Sequence, residues 1–418
     1  MKYKFIIYQF LLLGSGDSNR SVEKTNMPNH QTIRLINFIP LFSGKNMGVI
    51  KRVFCIKKLT VIILALLFCA CNNAQDHAKD VLELDMIDSN EISFDEWVSD
   101  VECFRLIESG TNFLLKIVEY DTFFYLLSFD GVFIFKKSGE HVRTITGNPF
   151  PNDIFVNEKE KQLWILDQNE IIKKYSPDGR FIEQQKLPFK AGKIAPAGAS
   201  HFLFFEGNFD TSSPSFLRVF SNIDFSTDTG FVPKYNINFS VPITTFAYNS
   251  KETFIYLPYN DTIYVFDNTN LTVIPKWHLH FAGSFLTHHD IPKGEINQKR
   301  EVEITDAKNK YNELRGVHIV NNILFMRLIG KGHPFRAVDI TTNKVYRFNS
   351  LVNNINETPQ GSTTDGLLLA MKTQHFIRHY SKPGNTANHE SIKELLNQVK
   401  ETDDGLIVLK IKLKEDMP

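Results

Sequence analysis

Two neighbouring stretches with the same layout decide the fold of this chain. Phe123–Ile145 reads FFYLLSFDGVFIFKKSGEHVRTI, and Gln162–Leu187 reads QLWILDQNEIIKKYSPDGRFIEQQKL. Each has an apolar strand, a short polar turn, a second strand with aromatic residues, a turn with glycine and a third strand. Because glycine supplies the positive φ that tight hairpins need, Gly139 and Gly179 mark the second turn of each stretch. The layout predicts a small antiparallel sheet that is repeated along the chain.

The same unit recurs in the rest of the chain with more variation. Further copies cover His201–Ser226, Phe254–Leu279, Ile323–Asn349 and a last segment from Gly366 onward. In the last copy we expect HFIRHY (His375–Tyr380) and GLIVLKIKLK (Gly405–Lys414) to form strands. The sequence therefore predicts six units.

Repeated sheets of about 40 to 50 residues are typical of β-propeller blades. A single blade cannot bury both of its faces, so blades stack around an axis and share a core. A β-sandwich or two separate β domains are the alternatives, but neither predicts a regular three-strand rhythm. The sequence predicts an all-β protein over residues 82–418, a six-bladed β-propeller of antiparallel sheets with short helical insertions.

The ring must also close, because an exposed edge strand promotes aggregation. DVECFRLIE (Asp100–Glu108) is the candidate strand for pairing with the other end of the chain. Two stretches are expected to be helical: Lys293–Leu314, which is rich in Glu, Lys and Asn, and SIKELLNQV (Ser391–Val399), with Ser391 as N-cap.

KKLTVIILALLFCACNN (Lys57–Asn73) has the features of a bacterial export signal. A basic flank precedes an uncharged apolar run of 12 residues, Leu59–Ala70, whereas a helix needs about 20 residues to cross a bilayer. The ending Phe68–Cys71 resembles a lipoprotein lipobox, with Cys71 as the acylated residue. The alternative is an ordinary signal peptide that is cut near Ala74.

The residues before Cys71 are left out of the predicted fold. Residues 1–70 are interpreted as a mis-called N-terminal extension followed by a lipoprotein signal peptide, with translation starting at Met47. The alternative is a genuine, unusually long leader. Residues 71–81 form a polar spacer. One acyl chain binds a membrane only marginally, so the several chains of a lipoprotein would anchor Cys71.

Charge and cysteine content exclude some classes of function. Ten of the 47 basic and two of the 47 acidic residues precede Cys71, so the exported part has 37 basic and 45 acidic residues, a formal charge of −8. A nucleic-acid binder would show a basic patch, so nucleic acid is not an expected partner. If Cys71 carries lipid, Cys103 is the remaining thiol, which excludes an intramolecular disulfide and a cysteine-based metal site.

These features together resemble the lipid-anchored six-bladed β-propeller proteins of Bacteroides-type bacteria. The resemblance rests on the lipobox, the polar spacer, the segment ISFDEWVSDVECFRLIES, the turns FKKSGE and YSPDGR, and the late strand DDGLIVLKIKL. The family is similar in shape to NHL-type propellers. The resemblance implies a lipoprotein in the outer membrane of a Gram-negative cell envelope, facing the periplasm or the exterior, with no chemistry assigned to individual residues.

One histidine cluster is a candidate metal site. His278 and His280 would share one face of a strand, and His288 and His289 lie in the loop beyond. This spacing could bind a divalent ion, and solvated loop histidines are the alternative. The chain has no G-x-S-x-G motif, so no serine-hydrolase nucleophile is predicted.

Polar residues also recur in the turn between the second and third strands of each blade, and these turns meet at one rim of a propeller. The residues of this predicted mouth are Asp130, Asp167, Glu206, Asn260 and Asp261. Converging side chains would form an acidic mouth for a cation or for a hydroxyl-rich ligand such as a sugar. Aromatic residues near the same end that could stack on a sugar or peptide are Phe129, Phe150 and Tyr259. The alternative interpretation is that Asp and Asn simply suit turns.

The sequence favours a non-catalytic envelope lipoprotein whose propeller loops bind a partner protein, peptide or glycan. The second hypothesis is a calcium-assisted hydrolase or lyase, in which at least three mouth carboxylates hold one ion at about 2.3 to 2.6 Å. Apart from calcium, no cofactor is expected.

Overall fold

Antiparallel β-strands make up most of the structure, a computed structural model that describes residues 80–415 outside a set of internal segments. Those segments are 85–92, 107–113, 148–149, 169, 199, 207–214, 222–228, 234–236, 239–244, 250, 281–293, 296–312, 330–334, 383–384, 386–387 and 401–402. Within the described part, no helix is long and apolar enough to span a bilayer.

The first two strands join sheets that are otherwise formed by later parts of the chain. They are β1 (Asp80–Glu83) and, after a single 3-10 turn at Phe94–Trp97, β2 (Val98–Leu106).

The next twelve strands form three successive four-stranded sheets, blades 1 to 3. Blade 1 contains β3 (Leu114–Tyr120), β4 (Phe123–Ser128), β5 (Gly131–Lys136) and β6 (His141–Ile145). Blade 2 contains β7 (Pro151–Asn157), β8 (Gln162–Asp167), β9 (Ile171–Tyr175) and β10 (Phe181–Lys186). Blade 3 contains β11 (Lys193–Ala197), β12 (His201–Phe205), β13 (Ser215–Ser221) and β14 (Thr229–Pro233).

The remaining strands form blades 4 to 6 and one short parallel pair. After β15 (Ile237–Asn238), blade 4 contains β16 (Phe246–Tyr248), β17 (Thr253–Tyr256), β18 (Thr262–Asp267) and β19 (Thr272–His280). After β20 (Gly294–Glu295), which pairs with β15, blade 5 contains β21 (Glu313–Val320), β22 (Ile323–Ile329), β23 (Phe335–Asp339) and β24 (Val345–Phe348). A 3-10 turn (Val352–Asn354) then leads to blade 6, which contains β25 (Gly361–Ser362), β26 (Gly366–Lys372) and β27 (Leu406–Leu413). Two helices, α1 (Thr373–Tyr380) and α2 (Glu390–Gln398), lie between β26 and β27.

The first strand of each blade lies at the centre, and these six strands form a closed ring. Contacts run from β3 to β7, β11, β16, β21 and β25, and from β25 back to β3. The predicted six-bladed β-propeller is therefore confirmed.

The hydrophobic core is divided into six clusters, one between each pair of neighbouring blades. The cause is the alternation of side chains along a strand. In β4, Phe124 and Leu126 face blade 6, whereas Tyr125 and Leu127 face blade 2. Because both faces of β4 are buried, its sequence FFYLLS is a continuous apolar run rather than an alternating one.

Hydrogen bonds also join every pair of neighbouring blades. The bonds are Lys116 Nζ to Asp153 Oδ1 (2.9 Å), Ile194 N to Asp153 Oδ2 (3.1 Å), Thr253 Oγ1 to Pro196 O (2.8 Å), Leu314 N to Tyr256 Oη (3.3 Å), His318 Nε2 with Pro359 O (2.9 Å) and Ile117 N to Gln360 O (2.9 Å).

The ring closes through strands from both ends of the described chain. β2 pairs antiparallel with β27 and becomes the outer strand of blade 6, which confirms the expected pairing of Asp100–Glu108. Helix α2 lies against β2, where Ser391 Oγ donates to Val101 O and lies 3.8 Å from Cys103 Sγ. Burial raises the pKa of Cys103 to about 12, so this residue remains a thiol at neutral pH.

The N-terminal strand β1 adds a fifth, parallel strand to the outer edge of blade 4. Its pairing begins at Asp80, and the next residue after the strand, Leu84, accepts a hydrogen bond from the buried Arg336 of blade 5 (2.9 Å). The segment thus ties two blades together and covers an edge that would otherwise be open.

One predicted strand is wrong, and one predicted helix lies mostly outside the described residues. HFIRHY belongs to helix α1, because Phe376 and Tyr380 are four residues apart and both buried on one helical face. The predicted helix Ser391–Val399 is confirmed as α2. Of Lys293–Leu314, the described part contributes the short strand β20 and the start of β21, while 296–312 lie outside the described residues.

The antiparallel order places the connections at two rims. The upper rim carries the connections between second and third strands and those that lead from one blade to the next. The lower rim carries the other turns, which have two to seven residues, whereas the β26–β27 connection at the upper rim has 33. Nearly all of the extra chain is therefore at one rim.

A pair of matched glycine substitutions tests the contact between blades 1 and 6. Gly139 and Gly179 have φ values of 89° and 83°, so alanine strains either turn by roughly 1 kcal/mol. At position 139 a Cβ would also overlap the carbonyl oxygen of Arg105 on β2, whereas at position 179 it would meet the movable side-chain ends of Ile134 and Arg143. We expect Gly139→Ala to lower the free energy of unfolding by at least about 1 kcal/mol more than Gly179→Ala, as measured by denaturant unfolding. Equal losses would contradict the rigid contact between β2 and the blade 1 turn.

Candidate functional site

The upper rim carries the polar turn residues that the sequence singled out, and it places them in different environments. Asp130 is exposed in the β4–β5 turn, where its backbone N–H donates to Ser128 Oγ (3.3 Å). Asp167 and Glu206 are buried. The three carboxylates therefore do not share one solvent environment.

Each buried rim carboxylate is neutralised within its own blade. Asp167 Oδ2 lies 3.0 Å from Lys173 Nζ, and Asp167 Oδ1 accepts from Ile171 N (3.2 Å). Glu206 pairs with Arg218. Because an unpaired carboxylate is costly in the interior, these contacts fix the turns to the strands beside them.

The blade 4 turn is held in a similar way. Asn260 Oδ1 accepts from Thr262 N (2.9 Å), and Asn260 Nδ2 donates to Tyr264 Oη (3.2 Å). Asp261 is part-exposed, and its Oδ1 lies 3.5 Å from His278 Nδ1. The mouth predicted from the sequence stays a prediction, since these contacts join each residue to its own blade and none joins two rim carboxylates.

The candidate metal-binding histidines are likewise engaged by carboxylates. His278 faces Asp261, and His280 Nδ1 lies 2.6 Å from Glu83 Oε2 on β1. His288 and His289 lie outside the described residues. In the part of the chain that the structure describes, no group of three or more His, Cys, Asp or Glu could hold a metal ion. The divalent-ion and calcium hypotheses therefore gain no support from these residues.

A second set of polar residues, which the sequence analysis missed, lies on the innermost strands. Lys116, Asp153 and Lys193 come from β3, β7 and β11, and each stands four residues before the last residue of its strand. They occupy the same level of three successive blades. We call them the axial triad.

Asp153 links the three blades of the triad. Its buried carboxylate accepts from Lys116 Nζ (2.9 Å) and from the backbone N–H of Ile194 (3.1 Å). Lys116 Nζ also donates to Ile154 O (2.8 Å). Burial lowers the pKa of Lys116, but the Asp153 carboxylate more than offsets this, so the pKa of Lys116 lies above its ordinary value. Lys116 is therefore a cation, and its side chain keeps 18% of its surface exposed.

Lys193 is the less well compensated basic residue of the triad. Its side chain is buried, and Nζ donates to Asn152 O (3.2 Å). Burial lowers the pKa of Lys193, Asp153 acts against this shift, and the nearby Lys116 cation adds to it. The two lysine side chains thus share one carboxylate, and the pKa of Lys193 lies below its ordinary value.

Side chains from the far side of the ring reach the same region. The Lys116 cation acts on Tyr248 of blade 4 and on His318 of blade 5, across the axis from blade 1. The Tyr248 ring also lies 6.2 Å from the Phe155 ring of blade 2. Burial raises the pKa of Tyr248, so its hydroxyl stays protonated at neutral pH. The axis therefore combines two lysines, one carboxylate and two neutral polar rings.

A charged residue inside an apolar strand is the signal that could have found the triad. Lys116, Asp153 and Lys193 each precede a repeat unit, in strands that the repeat pattern did not include. Such a residue in an innermost strand is costly unless it is paired, so its presence predicts a partner on a neighbouring strand.

The pH dependence of stability should report on His318. Burial is the main cause that lowers the pKa of His318 from 6.5 to about 4, the hydrogen bond to Pro359 O opposes the shift, and Lys116 adds to it. Between these pKa values the unfolded chain binds more protons than the folded one, so stability falls as the pH decreases from about 6.5 to 4, by about 3 kcal/mol from this residue.

The measurement is denaturant unfolding at several pH values with His318→Gln, which removes the titrating group. We expect a smaller loss of stability in this window for the variant than for the parent protein. His375→Gln, the same change at a half-exposed side chain, keeps His318 and so keeps its contribution. An unchanged slope in His318→Gln would contradict the assignment.

Comparison with solved structures agrees with the architecture. The chain is similar to a Bacteroides fragilis protein assigned as exported, with 17% identity, 76% of this chain and 97% of that chain covered, and a TM-score of 0.57. It is also similar to the RRP9 WD40 repeats, with 9% identity, coverage of 76% and 99%, and a TM-score of 0.43. The likeness to the Bacteroides fragilis protein, at 17% identity, shows the fold alone. A comparison with curated proteins gave no match.

A family described as a domain of unknown function, DUF4934, matches residues 80–410. The match starts at β1 and ends within β27, so it covers strands of all six blades. Since this range is well over half of the 418 residues, the protein belongs to the DUF4934 family.

Proposed function

We propose that this protein is a non-catalytic, lipid-anchored binding propeller of a Gram-negative cell envelope. In this proposal Cys71 carries the lipid, and the upper rim binds a partner protein, peptide or glycan. The observation that carries the proposal is the asymmetry between the two rims.

The lower rim has the short turns that strand pairing alone requires. The upper rim is where the 33-residue β26–β27 connection leaves and re-enters blade 6, and helix α2 of this connection packs against the outer strand β2. Rigid β scaffolds place binding residues on the loops at one end, because loops can vary while the strands keep their positions. The extra chain at the upper rim is what a binding surface needs and what a purely structural ring does not.

Exposed aromatic side chains also support the upper rim as the binding surface. Phe129 in the β4–β5 turn is 52% exposed, and Phe150, which directly precedes β7, is 54% exposed. Both belong to upper-rim connections of adjoining blades. Aromatic side chains have a large apolar face, and such a face can stack on a sugar ring or on a peptide group.

Anchoring is supported by the sequence from Lys57 to Asn73, with its apolar run and lipobox. The Bacteroides fragilis protein of similar fold is assigned as exported, which agrees with this part of the proposal. The enzyme hypothesis is not favoured by a specific observation, since Asp167 and Glu206 are engaged by Lys173 and Arg218.

Two cysteine substitutions test the anchor. In a bacterium that processes lipoproteins, we expect Cys71→Ala to lose incorporation of labelled palmitate and to leave the membrane fraction, because Cys71 is the acylated residue. Cys69→Ala, two residues earlier in the same leader, should retain both properties. Palmitate labelling that persists in Cys71→Ala would contradict the proposal.

The binding rim is tested with paired aromatic variants. Glycan and peptide arrays probed with the purified protein should give ligands whose affinity falls by roughly ten-fold or more in Phe129→Ala/Phe150→Ala, as measured by titration calorimetry. The matched control is Phe181→Ala/Ile182→Ala on the outer strand β10, where Phe181 is 57% exposed but lies away from the upper rim. Ligands lost by the control pair and kept by the rim pair would place binding at the outer edge instead.

A further inference from the structure

The N-terminal strand β1 enters blade 4 from one particular rim. It is parallel to β19, which runs from the lower rim to the upper rim, so Asp80 is the lower end of β1. Asn343, in the lower-rim turn between β23 and β24, donates from Nδ2 to Asp80 Oδ2 (3.3 Å). Just beyond the other end of β1, Leu84 O accepts from Arg336, which lies near the upper end of β23. The strand therefore starts at the lower rim.

The distance from this strand to the proposed lipid is short. Eight residues separate Cys71 from Asp80 in the sequence. A fully extended chain advances about 3.5 Å per residue, so a lipid on Cys71 would hold the lower edge of blade 4 within about 30 Å of the bilayer surface. A bilayer at the upper rim would require the chain before Asp80 to turn back along the whole of β1.

Exposed apolar side chains lie at the same rim. The fourth strand of each blade starts there, and we call this start the lower corner of the blade. At the lower corner of blade 2, Phe181 and Ile182 are the first two residues of β10. At that of blade 4, Leu271 directly precedes β19 and Ile274 is its third residue. These four side chains, the corner residues, are between 36% and 57% exposed.

The lower corners of the other blades differ. Blade 1 has the half-buried His141, and blade 6 has the buried Val98 followed by the exposed Ser99. In blade 5, Val345 is half-buried and packs against the cluster between blades 4 and 5. Among the described residues, exposed large apolar side chains at lower corners are thus restricted to blades 2 and 4, and β1 is attached to blade 4.

The two apolar corners fit a flat, extended surface. Blade 3 lies between them, so one small molecule does not contact both. The lower-rim turns of these blades place basic beside acidic residues, as in the pair of Arg180 with Asp178 (2.9 Å) and in the sequence Lys251–Glu252, so charge does not favour an ionic partner. Large apolar and aromatic side chains are stabilised in the interfacial layer of a bilayer because they leave water there.

We propose that the lower rim of blades 2 to 4 lies against the bilayer, with the corner residues in its interfacial layer. The inference rests on the proposed lipid anchor at Cys71 and deepens it by assigning the surface that the anchored propeller turns to the membrane. The lipid supplies most of the attachment, and the corner residues set the orientation. The upper rim, with Phe129 and Phe150, then faces away from the membrane, where a partner can reach it.

Tryptophan substitutions in the lipidated full chain test the orientation. The three native tryptophans are buried, so they give a constant background. The protein is reconstituted in vesicles of phosphatidylethanolamine and phosphatidylglycerol with or without bromine on the acyl chains, because bromine quenches tryptophan fluorescence only at short range. We expect bromine to quench Ile182→Trp and Ile274→Trp at the lower corners and to leave Phe129→Trp at the upper rim unquenched.

Charged substitutions test whether the corner residues cause the orientation. Phe181→Asp/Leu271→Asp in the Ile274→Trp background should lose most of the quenching, because a carboxylate stays in water. The matched control is Phe129→Asp/Phe150→Asp in the same background, which changes the net charge equally and should keep the quenching. Both pairs replace exposed side chains, so neither disturbs the core.

Three results in the vesicles would overturn the inference. They are stronger quenching of Phe129→Trp than of the two lower-corner variants, equal quenching of all three, and no quenching in any of them. A fourth is a blue shift of Ile182→Trp fluorescence that grows with protein concentration without vesicles, since the corner residues would then contact a second copy. Failure is separable from failure of the anchor. If Cys71 incorporates palmitate but neither lower-corner tryptophan is quenched, the anchor stands and the orientation is wrong.

Discussion

The structure depends on the fact that each blade is apolar on both faces. In β12, Phe202 and Phe204 face blade 2, whereas Leu203 and Phe205 face blade 4. A sheet with two apolar faces cannot be stable alone, and a stack of such sheets leaves two faces in water unless it closes on itself. A ring buries every face. The pairing of β2 with β27 completes the last blade, so the cluster between blades 6 and 1 forms only when both ends of the propeller have been placed.

The centre of the ring is packed differently from the interfaces between blades. Flat apolar faces meet between blades, but the innermost strands also face the axis, where the facing surfaces are short and come from several blades at once. Polar side chains are tolerated there because neighbouring backbones supply partners, as Ile194 N does for Asp153 and Pro359 O does for His318. The same arrangement leaves Lys193 with less compensation than the other charged residues of the axis.

The two rims differ in the length of the connections that they carry. Short lower-rim turns such as the one at Gly139 keep neighbouring blades in contact, and they leave little room for variation. The upper rim carries both ends of the long β26–β27 connection and two exposed phenylalanines. The stack of blades is thus a fixed scaffold for the surface at the upper rim. The buried ion pairs of Asp167 and Glu206 belong to the scaffold, because they hold the turns from which that surface starts.

Local sequence was sufficient for most of the fold. Apolar runs separated by glycine turns gave the repeat, its number of copies and the closing strand near Asp100, because strand pairing and turn chemistry depend on neighbouring residues. HFIRHY was mistaken for a strand, because so short a segment does not distinguish the helical period of 3.6 residues from the strand period of two. What tertiary structure alone decided is the direction of each polar side chain. Asp167 and Glu206 look like free turn residues until Lys173 and Arg218 are seen beside them, and Lys116, Asp153 and Lys193 become one site only because the ring brings three separate blades to the same level of one axis.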